Sequence, residues 1–350
     1  MEKSNKVMNI IVNCTAFLVI VLFIVGMFAL PPISASAAGA SESASAYSII
    51  SDLFDLFKQM GQAQGGQLGT LIGRMLNLLT FVVVFAVFAI MGLVKSIILL
   101  VKSIKSISKP EDNKPAIKQL VSFGAMCLTY ATLVLAIFYS KTNLGYGAAL
   151  TTSLGAGAVM VLISGLLALC AAGAYVVVTR KEEPLLTRIL GVGTSALAVV
   201  AIMLMFFAPV ASEYSKGGLV AYLCGLIGGV AASAGSGLTP DYVPVIMAFL
   251  GAAMLFVGLG FGKMVLTNGF KLSEKKDVDY AKSSIVKSSV WLGLSVVGVI
   301  LCFVANKDYS IGIGGIMTFV FVALTLGCAI VNKVLAGKFA ASKEEAPKAE

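Results

Sequence analysis

The chain has 350 residues, of which 58% are hydrophobic and 12% charged, with 26 Lys and Arg against 17 Asp and Glu and no histidine. A soluble domain carries about 25% charged residues, so this composition excludes a secreted or cytosolic globule; most of the surface must meet lipid or other apolar helices. The net charge of +9 does not point to nucleic acid, because the basic residues sit in short connections and not in one folded patch; anionic headgroups of the lipid bilayer at the inner face are the expected partner.

Nine stretches are free of charge: Val7–Ser41, Met75–Val94, Gln119–Ser140, Thr142–Thr179, Ile189–Ser212, Gly217–Pro240, Tyr242–Gly262, Ser288–Asn306 and Tyr309–Asn332. A bilayer-crossing helix needs about 20 mostly apolar residues. Eight of the nine are read as spans, giving an all-α polytopic integral membrane protein with eight transmembrane helices. Residues 1–37 form either a signal-anchor or a signal peptide cut after Ala37, in which case seven spans remain: Lys3 and Lys6 precede the apolar run, and Ala35-Ser-Ala37 offers small residues to a signal peptidase. Residues 38–75 are expected outside. Their Ser/Ala/Gly start, within Ile33–Ala46, reads as a flexible linker.

In Ser48–Met60 the apolar Ile49, Ile50, Leu53, Phe54, Leu56 and Phe57 recur at helical spacing, with Ser51, Asp52, Asp55, Lys58 and Gln59 opposite. That pattern predicts an amphipathic helix, lying on the outer leaflet or covering the outer ends of the spans. Gly61, Gly65, Gly69 and Gly73 follow, each four residues from the last. On a helix this is a stripe that a second helix can approach closely; as a linker it is a flexible Gly/Gln run.

On the inner side of the membrane lie Lys3, Lys6, six basic residues from Lys95 to Lys118, Arg180, Lys181, Arg188, six from Lys263 to Lys287 and four from Lys333 to Lys348; on the outer side are Lys58, Arg74, Lys141, Lys216 and Lys307. This asymmetry places both termini in the cytoplasm, unless the signal is cleaved, in a multi-pass plasma membrane protein. Residues 217–240, rich in glycine, are read as an outer re-entrant or interfacial segment, since a span there would invert every later loop. The small residues Gly165, Ala168, Ala172 and Gly173 suggest that the fourth span is a closely packed central helix.

The order of several matches suggests duplication. Tyr-Ser occurs at Tyr47, Tyr139, Tyr214 and Tyr309; Gly92-Leu-Val-Lys95 matches Gly260-Phe-Gly-Lys263, and Val121-Ser-Phe-Gly124 matches Val290-Trp-Leu-Gly293. Two parallel four-helix repeats are therefore expected, 1–182 and 183–337, followed by a charged cytoplasmic tail at 338–350.

Catalytic chemistry is not indicated. The absence of histidine removes the commonest general base and zinc ligand. The six cysteines are scattered through apolar stretches, and all 17 acidic residues lie outside the span centres, which disfavours a proton- or sodium-coupled carrier. No cofactor, metal or catalytic residue is expected. The leading reading is a non-enzymatic subunit or scaffold of a membrane complex, partnered by an unidentified membrane protein or a second copy of itself. The alternative is a channel or facilitator for a small uncharged solute.

Overall fold

The computed structural model describes residues 2–37, 40–62, 66–108, 113–145, 148–181, 183–212, 215–271, 279–305 and 308–344. Among these the chain forms ten α-helices: α1 (Glu2–Ile24), α2 (Ala46–Met60), α3 (Gly66–Ser108), α4 (Lys114–Phe138), α5 (Ala156–Thr179), α6 (Leu185–Leu204), α7 (Leu219–Gly235), α8 (Val243–Asn268), α9 (Tyr280–Val304) and α10 (Ile313–Glu344). Eight of them, all but α2 and α7, are long and apolar enough to cross a bilayer. The protein is an all-α polytopic membrane fold. α7, which lies within 217–240, has only 17 residues and is not among the eight.

The eight long helices form two groups with one neighbour order. α1 packs on α5 and α3, α3 on α4 and α4 on α5; likewise α6 packs on α10 and α8, α8 on α9 and α9 on α10. α4 lies at the centre, because 83% of its apolar window is buried against 28–50% for the other seven. The third span, not the fourth, is thus the central helix. The small residues of the fourth serve its contact with α4: a Cβ on Gly165 would lie 2.8 Å from the Cys127 Cβ, and one on Gly124 would lie 2.9 Å from the Gly165 carbonyl oxygen.

Reciprocal glycines recur at other crossings. Cβ atoms on Gly26 and Gly157 would lie 2.8 and 2.5 Å from each other's carbonyl oxygens, and the corresponding values for Gly251 and Gly298 are 2.5 and 2.9 Å. Where lipid surrounds the helices, association depends on close packing and not on expulsion of water, so a missing side chain at the crossing is what permits backbone contact. Bulk sits beside these gaps: Trp291, fully buried on α9, fills the space left by Gly258 and Gly262 of α8, and Phe23 of α1 occupies the notch at Gly92 and meets Phe123 edge-on at 5.5 Å.

The connections at one end of the bundle build a sheet that the helical reading does not contain. β1 (Ile33–Ala37), β2 (Ala40–Ala44), β3 (Ser140–Gly145), β4 (Ala148–Leu154), β5 (Val210–Ala211), β6 (Ser215–Gly217) and β7 (Ser310–Ile311) pair antiparallel in the order β2-β1-β4-β3-β6-β5-β7. The stretch expected as a flexible linker after the first helix is therefore the β1–β2 hairpin. Non-local pairing overrides its weak strand propensity: Ile33 to Ala37 align with Leu154 to Leu150, and the Ser34 hydroxyl donates to the Leu154 carbonyl at 3.3 Å. Ser140, Ser215 and Ser310, from three of the four Tyr-Ser pairs, each begin a strand, whereas Tyr47 and Ser48 lie in α2.

At the opposite, basic end, helix continues past the charge-free stretches among the described residues. α3 runs on through Lys95, Lys102 and Lys105 to Ser108, and its 43 residues make it about 64 Å long at 1.5 Å per residue, far beyond a hydrocarbon core of about 30 Å. Lysine is a good helix former, so charge ends the apolar stretch without ending the helix.

The first helix is built into the bundle. The Ser164 hydroxyl of α5 donates to the Val19 carbonyl at 2.7 Å, and α1 is followed directly by a π-helical turn, Val25–Ala29, that carries Gly26 to its contact with Gly157. Cleavage after Ala37 would also remove β1, which is paired on both edges. Intact-mass spectrometry of the protein purified from membranes should find residues 2–37 still attached; a mature chain starting at Ala38 would show that the bundle assembles without α1.

Candidate functional site

The glycine stripe divides at the start of α3. Gly61 is the C-cap of α2 and its added Cβ would meet only the Lys58 carbonyl at 3.6 Å; Gly65 lies outside the described residues. Gly69 and Gly73, buried in the first two turns of α3, face α7. A Cβ on Gly73 would lie 2.8 Å from the Cys224 carbonyl oxygen, one on Gly228 would lie 2.5 Å from that of Gly69, and one on Gly69 would collide with the Gly228 carbonyl and the Ala232 Cβ, the latter at 2.5 Å. α7 starts against the ends of α4 and α6, where the Gly218 N–H donates to the Tyr139 carbonyl at 2.8 Å and the Leu219 N–H to that of Phe206 at 3.1 Å. The Asn77 amide fixes α3 at the same level by donating to the Ile137 carbonyl at 2.9 Å.

α2 is capped by Ser45, whose hydroxyl accepts from the Ser48 N–H at 3.0 Å, and it packs on α3. Its apolar face is divided lengthwise. Ile49, Leu53 and Leu56 are buried, Ile50 is half-buried, and Tyr47, Phe54 and Phe57 are exposed. On a helical wheel Tyr47, Ile50, Phe54 and Phe57 share one edge, flanked by the buried row on one side and by Asp52, Asp55 and Gln59 beyond. A helix on a bilayer surface beside its own protein meets these three environments: protein, acyl chains and water.

The basic end contains a site that sequence reasoning did not assemble. A cavity of about 620 Å³ opens over α4, with α3, α5 and α8 as walls. Its cations are Lys95 of α3, Lys114 and Lys118 of α4, Arg180 after α5, Lys263 of α8 and Lys271 beyond it. Lys95 is drawn onto α4, donating to the Ser122 hydroxyl at 2.5 Å and to the Ser122 carbonyl at 3.4 Å. The deeper wall is apolar, with Phe88, Met91, Val121 and Met126. Among the described residues the lining includes no carboxylate. The two lysines matched by sequence, Lys95 and Lys263, enter this cavity from opposite helix groups.

Asp279, at the basic end, is engaged away from this cavity. Asp279 accepts from the Lys282 N–H at 2.9 Å as the cap of α9 and pairs with Lys333 of α10. Partial burial alone would raise its carboxyl, yet these contacts hold it below the ordinary carboxylate range. Their contribution to stability is accordingly present above that range and lost as pH falls through the depressed value. At the sheet end, burial raises the Tyr139 hydroxyl, whose ring lies 4.2 Å from that of Phe207. Among the described residues no three His, Cys, Asp or Glu side chains converge as metal ligands.

Replacing both Gly69 and Gly73 by leucine should separate α3 from α7 and lower the thermal midpoint in detergent, at a cost of about 1–3 kcal/mol or more for forced overpacking. Alanine at Gly69 already demands movement, because the contact there is with backbone. Leucine at the exposed Gln62 and Gln67 should change little. An unchanged midpoint in the double leucine variant would show that the α3–α7 contact contributes nothing to the fold.

Comparison with known protein families, with characterised proteins and with solved structures returns no match.

Proposed function

We propose that the protein is a non-enzymatic subunit or scaffold of a membrane complex, built from two parallel four-span repeats. The observation that carries this reading is the seam between the two helix groups. α4 is buried along most of its length, and at the sheet end Ser140, Lys141 and Thr142 of β3 align with Gly217, Lys216 and Ser215 of β6. A carrier that alternates access by rocking one half against the other would have to break this ladder in every cycle. The shared neighbour order of the helix groups and the common cavity of Lys95 and Lys263 support the duplication; Tyr214 lies outside the described residues, so its match to Tyr47 adds no support. A facilitator for an uncharged solute is the weaker reading, since the cavity that the two groups share is lined by cations.

The exposed aromatic edge of α2 is the surface we assign to a membrane-protein partner or a second copy. Mild solubilisation followed by size measurement should give a particle larger than one chain, and Phe54→Glu with Phe57→Glu should reduce it to one chain without lowering the thermal midpoint. A single-chain particle from the unaltered protein would refute the scaffold reading.

The distribution of basic residues supports a plasma membrane protein with its basic end and both termini on the cytoplasmic side. Cysteines introduced at Ser273 and Ser342, with the native cysteines replaced, should resist impermeant thiol reagents in intact cells. Ready labelling at either position would reverse the orientation.

A further inference from the structure

We propose that the cavity at the basic end binds a phosphate-bearing anion, and that the headgroup of an anionic phospholipid is the occupant its lining favours. Five lysines and Arg180 converge on one volume of about 620 Å³, a size typical of small-molecule sites. Among the described residues the lysines of this cavity meet no carboxylate. Like charges gathered in a recess repel, and an entering anion relieves that repulsion among the five lysines at once. A lysine ammonium suits phosphate because it is a compact charge with three rotatable donors. Lys95 is held in place by Ser122, so part of the ordering cost of binding is met before the ligand arrives.

The apolar wall favours a lipid over a free ion. Phe88 lies seven residues deeper along α3 than Lys95, about 10 Å at the helical rise, and Met91, Val121 and Met126 continue that surface. Cations above and apolar side chains below reproduce the polarity gradient of a headgroup and the first carbons of its tails. Lys95 and Lys263 also stand where the charge-free stretches Met75–Val94 and Tyr242–Gly262 end, which is the depth of a headgroup layer. Basic pockets between transmembrane helices are established sites for such headgroups.

The inference deepens the expectation of anionic headgroups as partners. It rests on the membrane setting and is independent of orientation and of the scaffold role, so labelling from the wrong side or a single-chain particle would leave it intact.

The test uses the full chain in detergent, titrated with phosphatidylglycerol, with phosphatidylcholine of the same acyl chains, and with inorganic pyrophosphate, and read by thermal midpoint and native mass spectrometry. Phosphatidylglycerol should bind and raise the midpoint, while phosphatidylcholine should not. Lys95→Gln with Lys263→Gln should weaken the anionic lipid at least tenfold, on the order expected for two lysines near an anionic surface. Lys95→Arg with Lys263→Arg should retain binding, and Lys58→Gln at the far end should leave it unchanged. Should the double glutamine variant fail to fold, Lys118→Gln, exposed at the mouth, reads the same loss more weakly. Pyrophosphate reproducing the full shift would identify a soluble phosphate compound as the occupant, through the same chemistry. Equal binding of both lipids, or glutamine variants that bind like the unaltered protein, would overturn the proposal.

Discussion

Backbone-to-backbone contact at glycine is the constraint on which the rest of the structure depends. In lipid, two apolar helices gain little by hiding from their surroundings, so their association must come from dispersion at very short range. Gly26 with Gly157, Gly124 with Gly165 and Gly251 with Gly298 set that range at three crossings. The large side chains then occupy positions that the crossings leave over, as Trp291 does beside Gly258 and Gly262. The order of causation is the reverse of that in a water-soluble core, where bulky residues collect first and small ones fill in.

The two ends of the bundle solve different problems. At the sheet end the connections must satisfy their own backbone groups beside a membrane surface, and seven short antiparallel strands do so by pairing with one another. The same ladder holds the two helix groups in one relation. At the basic end α3 continues as helix past its charge-free stretch to Ser108, which satisfies its backbone internally and leaves side chains free. One end is thus fixed by a ladder of backbone hydrogen bonds, and the other by single side-chain contacts between helices, such as Lys95 with Ser122 and Asp279 with Lys333.

Charge-free length and the placement of Lys and Arg made the eight long helices legible, because burying an ionised group in hydrocarbon is costly and the chain therefore records the membrane as a gap in charge. The same rule misplaced helix ends: Lys102 and Lys105 close the gap without stopping α3. The sheet was illegible for another reason. Ile33-Ser-Ala-Ser-Ala37 carries the composition of a linker, and only its alignment with Leu150–Leu154, more than a hundred positions away, makes it a strand. Half of the glycine stripe was legible, since Gly69 and Gly73 keep helical spacing. Their partner surface at Cys224 and Gly228 has no local signal that points back to them. The cavity lysines were visible singly as loop charge. Their convergence depends on α3 and α8 flanking α4, which no spacing along the chain expresses.

The strand order has a consequence for biosynthesis. A ribosome delivers the segments from β1 to β7 in turn, but β1 must wait for β4, and β5 must wait for β7, which emerges only after α9. Since each strand reaches its place by passage of its flanking helices through the bilayer, the ladder cannot close ahead of insertion; until β4 arrives, one edge of the β1–β2 hairpin stands open. The time between those two events is the interval in which the nascent chain is most exposed to edge-to-edge pairing with a stranger. The serine- and alanine-rich, weakly strand-forming sequence of that hairpin, carrying Glu42 on its outer strand, is suited to outlast it.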